Sequence, residues 1–245
     1  VMNDILTLWD IDGNLVNVYR YHTPAYQKAI ESVYGVKLSF GEIEVNYSLP
    51  AKVVISIPLT KKGVDKELIQ KKMDQVFSIY SKYLEKNIKN AGKDQDVLLL
   101  GVIEMLKKLK SMNIPMGIVT GNIKKAGESI VKSTGISGYF NPTINSFGDN
   151  AFDRTKIVSD AITNAKNNRI ISKNAQIFVF GDMPADVLAA KKNNCISVAV
   201  VRNSNKMNRA DYSKRKKMLT LSKPDYLLDD YTDIEKIMSI LSIKK

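Results

Sequence analysis

The chain has 245 residues, 44% of them apolar and 25% charged, which is ample for a buried core and too apolar for an intrinsically disordered chain. One cysteine and one histidine exclude a disulfide scaffold, a Cys-based zinc cluster and any metal site built from several His ligands. Lys and Arg number 37 against 25 Asp and Glu, a formal net charge of +12, which raises nucleic acid or an acidic membrane as partners. No apolar run approaches the roughly 18 residues of a membrane span. The N-terminal VMNDILTLWD carries Asp4 ahead of its apolar run and no basic segment, so a soluble, cytoplasmic protein is expected. A lone thiol fits a reducing compartment.

Residues 5–9 (ILTLW) read as a buried strand ending at Asp10. Residues 18–95 then give helical signal and no clear strand; Leu68, Ile69, Met73, Val76, Phe77, Tyr80, Tyr83 and Leu84 form a long amphipathic stripe. A connection of that length is too large for a loop. It is expected to be a helical domain inserted into a core made of residues 1–17 and 96–245. In that core Val102, Ile103, Leu106, Leu109 and Met112 recur at helical spacing before a second strand, residues 114–119 (IPMGIV), which ends at Thr120. Ile157, Val158, Ala161, Ile162 and Ala165 predict a helix with Asp153 as its N-cap. Residues 177–180 (IFVF), 196–201 (ISVAVV) and 226–228 (YLL) read as three further strands, and Ile234, Ile237, Met238 and Leu241 as a closing helix. Continuous apolar runs suit strands covered on both faces. Their alternation with helices predicts an α/β fold, a Rossmann-like parallel sheet with helices on both faces.

The polar groups that stand out all fall at strand ends, where open parallel sheets bind ligands. They are Asp10-Ile11-Asp12-Gly13-Asn14, Thr120-Gly121-Asn122, Gly181-Asp182-Met183-Pro184-Ala185-Asp186, and Arg154 and Lys156 at a helix start. Asp10, Asp12, Asp182 and Asp186 would concentrate negative charge at one edge and call for a cation. Oxygen-only ligands point to a hard ion, Mg²⁺. A metal, a hydroxyl, free backbone N–H groups and a basic side chain together make a phosphate cradle. Of two carboxylates two residues apart, one could attack as nucleophile while the other donates and then accepts a proton.

LWDIDGN resembles the first motif of the haloacid dehalogenase-like hydrolases, IVTGN their second, and FVFGDMPADV their fourth. The tail of residues 223–236 (KPDYLLDDYTDIEK) also resembles the end of that family's core, and the insertion lies where the family places its helical cap. The resemblance implies an aspartyl-phosphate on Asp10 and acid–base work by Asp12, whose backbone carbonyl would ligate Mg²⁺. It implies phosphate oxygens held by Thr120 and Gly121 with Asn122 beside them, and Mg²⁺ held also by Asp182, with Asp186 as ligand or support. The basic group is expected to be Arg154, from the context SFGDNAFDRTKIV, with Lys156 as the alternative. Family members that cleave carbon–halogen or carbon–phosphorus bonds lack the second Asp, so Asp12 implies phosphate-ester chemistry on a small phosphorylated metabolite, with phosphoglycolate a loose suggestion. Asn14 stands where the family usually has Thr, and residues 45–54 (VNYSLPAKVV) lack the Gly expected near the second cap helix.

A phosphomutase would use the same motifs. A non-catalytic polyanion binder on this fold is the reading that the charge motivates, and four clustered carboxylates argue against it and against nucleic acid. A phospho-acceptor signalling module is opposed by the insertion and the DxDG spacing. His22 reads as a solvent-exposed or cap-packing residue rather than a substrate contact, Cys195 as a core or near-core thiol, and the basic stretch 206–217 (KMNRADYSKRKK) as a solvated loop.

Overall fold

The computed structural model describes residues 2–44, 49–91, 97–149, 151–202 and 208–241. Each of the five apolar runs forms a strand: β1 (Asn3–Trp9), β2 (Met116–Ile118), β3 (Ile171–Gly181), β4 (Ile196–Val200) and β5 (Tyr226–Leu228). All pair in parallel in the order β2-β1-β3-β4-β5. Successive strand residues point to opposite faces, and the core follows that alternation. Leu6, Leu8 and Val179 pack with α7 (Arg154–Asn167) and α8 (Pro184–Lys192). Trp9, Phe178 and Phe180 pack on the other face with α5 (Val102–Ser111), α6 (Lys124–Ser133) and α10 (Ile234–Ile240). The single tryptophan stacks on Phe180 with centroids 3.8 Å apart and donates from Nε1 to Thr7 Oγ1 at 2.9 Å. This is the expected α/β architecture.

The segment after β1 folds as four helices, α1 (Tyr19–Tyr34), α2 (Phe40–Glu44), α3 (Ala51–Lys61) and α4 (Lys66–Ala91). The stripe on α4 turns Ile69, Met73, Val76, Tyr80 and Leu84 inward, and Tyr80 stacks on Tyr26 of α1 at 4.0 Å. Among the described residues no helix is long and apolar enough to cross a membrane. Residues 45–48 of the segment 45–54, the 95/96 boundary of the insertion and Asn150 lie outside the described residues.

Three elements differ from expectation. β3 begins six residues before the apolar run, at Ile171, because SKNAQ extends the strand while staying largely outside the core. Helix α6 was not predicted; its KKAGESIVKS carries few apolar residues, yet Ala126, Ile130 and Val131 are buried. The basic stretch is not a solvated loop: residues 209–221 form α9 (Arg209–Leu221), with Asn208 as N-cap accepting from the Asp211 N–H. Leu219 anchors it on Val187, Ala199 and Val201. Lys206 and Met207 lie outside the described residues.

Candidate active site

β1, β2 and β3 end in register, Trp9 beside Ile118 and Phe180. The residues that follow them therefore gather at one edge, between β1 and β3, where the strand order reverses direction and ligands bind in such sheets. Asp10 follows β1, Thr120 lies two residues past β2, and Asp182 follows β3. Gly13 turns the chain with φ +77°, and a Cβ there would stand 2.2 Å from Asp182 Oδ2. At Gly181 a Cβ would stand 2.4 Å from Asp186. Both glycines let the carboxylate loops close on each other. Asn14 fixes the same edge: its Nδ2 donates to the carbonyls of Asp10 (2.9 Å) and Phe180 (3.3 Å), and its Oδ1 accepts from the Tyr231 hydroxyl (2.5 Å).

Asp10, Asp182 and Asp186 each offer a carboxylate oxygen within 4.8 Å of the others, all buried. At an effective dielectric of 20, two unit charges at that spacing repel by about 3 kcal/mol. Burial, followed by the neighbouring carboxylates, raises the Asp10 pKa well above its usual range, against the pull of Arg154. Burial likewise pushes Asp182 up to about 6, with Arg215 opposing, and raises Asp186, with Arg154 opposing. Arg154 Nη1 lies 2.6 Å from Asp186 Oδ1 and 3.1 Å from Asp10 Oδ1, the latter an ion-pair distance without hydrogen-bond alignment. Burial works against its charge, and Asp10 and Asp186 outweigh it and hold the guanidinium pKa above its ordinary value. Both oxygens of Asp10 and Oδ1 of Asp182 are buried with no hydrogen-bond partner among the described residues. Buried anionic oxygens without donors fit a cation, and an all-oxygen set fits a hard one.

Asp12 is held differently. Its Oδ2 accepts from Asn122 Nδ2 at 2.5 Å, and Oδ1 lies 3.2 Å from His22 Nε2. His22 Nδ1 meets the Tyr80 hydroxyl at 2.6 Å, and that hydroxyl donates to Asn122 Oδ1 at 3.4 Å. His22 is buried, not solvent-exposed, and joins α1 and α4 to a carboxylate at the sheet edge. The Asp12 carbonyl accepts from the Tyr19 hydroxyl at 2.9 Å. Thr120 Oγ1 accepts from the Asn122 backbone N–H at 3.2 Å.

One cavity of about 30 Å³ is lined by Asp10, Asp12, Thr120, Gly121, Asn122 and Arg154 from the sheet edge. Tyr19, His22, Tyr26, Leu49, Ala51 and Val54 close it from the helical insertion. The Ala51 N–H donates to the Gly121 carbonyl at 2.8 Å, tying α3 to the loop after β2. Asp182 and Asp186 lie against Asp10 in the carboxylate trio. Asp12 is near the trio but not part of it. Lys156 is not brought in: it pairs with Asp160 on the exposed face of α7, and its backbone N–H is capped by Asp153. Of the residues that contact the site carboxylates, Arg215 was missed by sequence reasoning and His22 was read as exposed or cap-packing.

The family model described as "Haloacid dehalogenase-like hydrolase" matches residues 7–200. The chain is a haloacid dehalogenase-like hydrolase. A relative in Clostridium perfringens (strain 13 / Type A), PpaX, provisionally named a pyrophosphatase, is 26% identical to this hydrolase over 75% of the chain and 78% of its own length. Among solved structures, a predicted phosphoglycolate phosphatase from Haemophilus somnus 129PT superposes with TM-score 0.69 at 20% identity, covering 97% of the hydrolase and 100% of that chain. A β-phosphoglucomutase from Clostridium difficile superposes equally, TM-score 0.69 at 18% identity, covering 97% and 96%. At these identities the superpositions show a common fold. A buried carboxylate trio beside an arginine suits the hydrolase to phosphate esters: a cation and a guanidinium can offset the charge of a transferring phosphoryl group.

Proposed function

We propose that the protein is a Mg²⁺-dependent cytoplasmic phosphomonoesterase that hydrolyses a small phosphorylated metabolite through an aspartyl-phosphate. The observation that carries this reading is the buried Asp10–Asp182–Asp186 trio, with oxygens on Asp10 and Asp182 that accept no hydrogen bond among the described residues, beside Arg154 and with Asp10 and Thr120 on one cavity. Mg²⁺ held by this trio would neutralise the carboxylates and polarise the phosphoryl oxygens. A carboxylate oxygen of Asp10 attacks phosphorus and the bond to the leaving oxygen breaks. Asp12, in its carboxylic acid form, gives that oxygen its proton. Asp12, now a carboxylate held by Asn122 and His22, takes a proton from water. The resulting hydroxide attacks the phosphorus of the aspartyl-phosphate, releasing inorganic phosphate and restoring Asp10. Thr120 and the Gly121 N–H hold phosphoryl oxygens, Asn122 orients Asp12, and Arg154 stabilises the charge that develops in transfer.

Residues 18–95 serve as a mobile cap over a core of residues 1–17 and 96–245. Tyr19, His22, Tyr26, Leu49, Ala51 and Val54 of the insertion line the cavity, so its movement away from the core would open the site to a phosphate ester. Closing again excludes bulk water during phosphoryl transfer. A panel of small phosphomonoesters and inorganic pyrophosphate, assayed with and without Mg²⁺, tests the reading. At least one compound should release phosphate only with Mg²⁺, and Asp10→Asn should cut that rate by about a thousandfold or more while keeping the melting transition. Full activity in Asp10→Asn would overturn it. Transfer of the phosphoryl group to a sugar hydroxyl rather than to water would make the protein a mutase.

A further inference from the structure

Of the basic residues 214–217, Lys214, Lys216 and Lys217 are exposed and Arg215 turns inward. Its Nη2 donates to Asp182 Oδ2 at 2.6 Å and to the Asp182 carbonyl at 3.1 Å, and its Nε donates to the Val201 carbonyl at 3.0 Å. The planar fork is thereby fixed at three points. α9 is itself seated by Leu219 against the strand that ends at Val200. This leaves Asp182, with no exposed surface, committed through one carboxylate oxygen, while the other is buried without a partner. The matched family region ends at residue 200, so Arg215 comes from a part of the chain beyond it.

We propose that Arg215 is a positioning residue and built-in counter-cation of the metal site: it pins Asp182 with one oxygen open and shares that carboxylate's charge with the divalent ion. The inference rests on reading Asp182 as a cation ligand. A bound divalent ion would hold all three carboxylates ionised, and with the two guanidinium groups in contact with them, Arg154 and Arg215, the loaded centre would carry one positive charge. Without Arg215 the loaded centre would be neutral. Arg215 therefore weakens the hold on free Mg²⁺ and strengthens the hold of the loaded site on a phosphate anion. Losing the pin would loosen Asp182 and weaken Mg²⁺ binding, the opposite sign. Coulomb repulsion between a guanidinium and a divalent ion that share one carboxylate outweighs the loss of a single rotamer.

Calorimetric titration of the metal-free full chain with Mg²⁺, followed by titration of the Mg²⁺-loaded protein with inorganic phosphate, tests this. Arg215→Gln drops the charge and should bind Mg²⁺ about tenfold tighter and phosphate about tenfold weaker than wild type. Arg215→Lys keeps the charge and should stay within about threefold of wild type in both titrations. Arg215→Met, also neutral, carries the same expectation as Arg215→Gln and replaces it if that variant fails to fold. An unchanged or weaker Mg²⁺ affinity in the neutral variants, or unchanged phosphate binding, overturns the role of Arg215. Mg²⁺ binding that is absent in wild type, or unaffected by Asp182→Asn, overturns the metal reading beneath it and this inference with it.

Discussion

Asp182 shows how burial and charge compete at a single residue. Its carboxyl stands near 6 in the fold, against an ordinary 3.8, chiefly because burial disfavours its charge. The stability it contributes is complete below pH 3.8 and is lost as the pH rises through 6. For a shift of that size the loss is about 3 kcal/mol. Asp10 and Asp186 are raised for the same first reason and act in the same direction. Thermal melts of the metal-free protein should therefore show the trio lowering the melting temperature between pH 4 and 7. Asp182→Asn should flatten that part of the profile, and Mg²⁺ should raise the melting temperature more at pH 7 than at pH 4. A profile that Asp182→Asn leaves unaltered would remove the trio from the account. That Asp10, Asp12, Thr120, Asp182 and Asp186 gather at one sheet edge was legible because each lies within a few residues of the end of an apolar run read as a strand. His22 and Arg215 were not. A lone histidine in a helix, and one arginine within KRKK, carry no local mark of the side that turns inward.

Among the elements, α4 reaches the residues that hold Asp12 through the Tyr80 hydroxyl. Tyr80 stacks on Tyr26 and places its oxygen between His22 and Asn122, the two residues that hold the Asp12 carboxylate. Tyr80→Phe keeps the ring and the stack but loses the hydroxyl. Stability should fall by only about 1 kcal/mol. In the proposed reaction kcat should fall about tenfold with KM within about twofold, because acid–base work by Asp12 depends on its orientation. Steady-state kinetics on whichever ester proves active check this, and an unchanged kcat would make the network purely structural. The five strands and most helices could be read because hydrophobic periodicity marks them. α9 could not: RADYSKRKKMLTL buries only Leu219, so it presents almost no apolar stripe. α6 was hidden for a similar reason, its inward face being small and short.

At the scale of the molecule, a +12 surface surrounds an acidic pocket. Such a field draws anionic phosphate esters toward the cleft and is screened within about 10 Å at 0.1 M salt. Raising the ionic strength from low to physiological should lower kcat/KM several-fold while leaving kcat nearly constant. Stopped-flow or initial-rate measurements across a salt series test this, and a flat series would confine the charge to solubility. The parallel α/β architecture was legible as a whole. That the insertion meets the site was implied by the family resemblance alone and not by the residues themselves, because it depends on contacts such as Ala51 N–H to the Gly121 carbonyl that join segments 70 residues apart.

The stack of Trp9 on Phe180 has a practical consequence. Each ring belongs to a strand that leads into the carboxylate trio, Trp9 directly before Asp10 and Phe180 one residue before the Gly181–Asp182 turn. The chain has one tryptophan, so emission excited beyond the absorption of its tyrosines comes from a single indole with no other to dilute it. Nature has in effect installed a fluorophore one peptide bond from the proposed nucleophile, and filling of the site by ion or phosphate can be followed by light without any label.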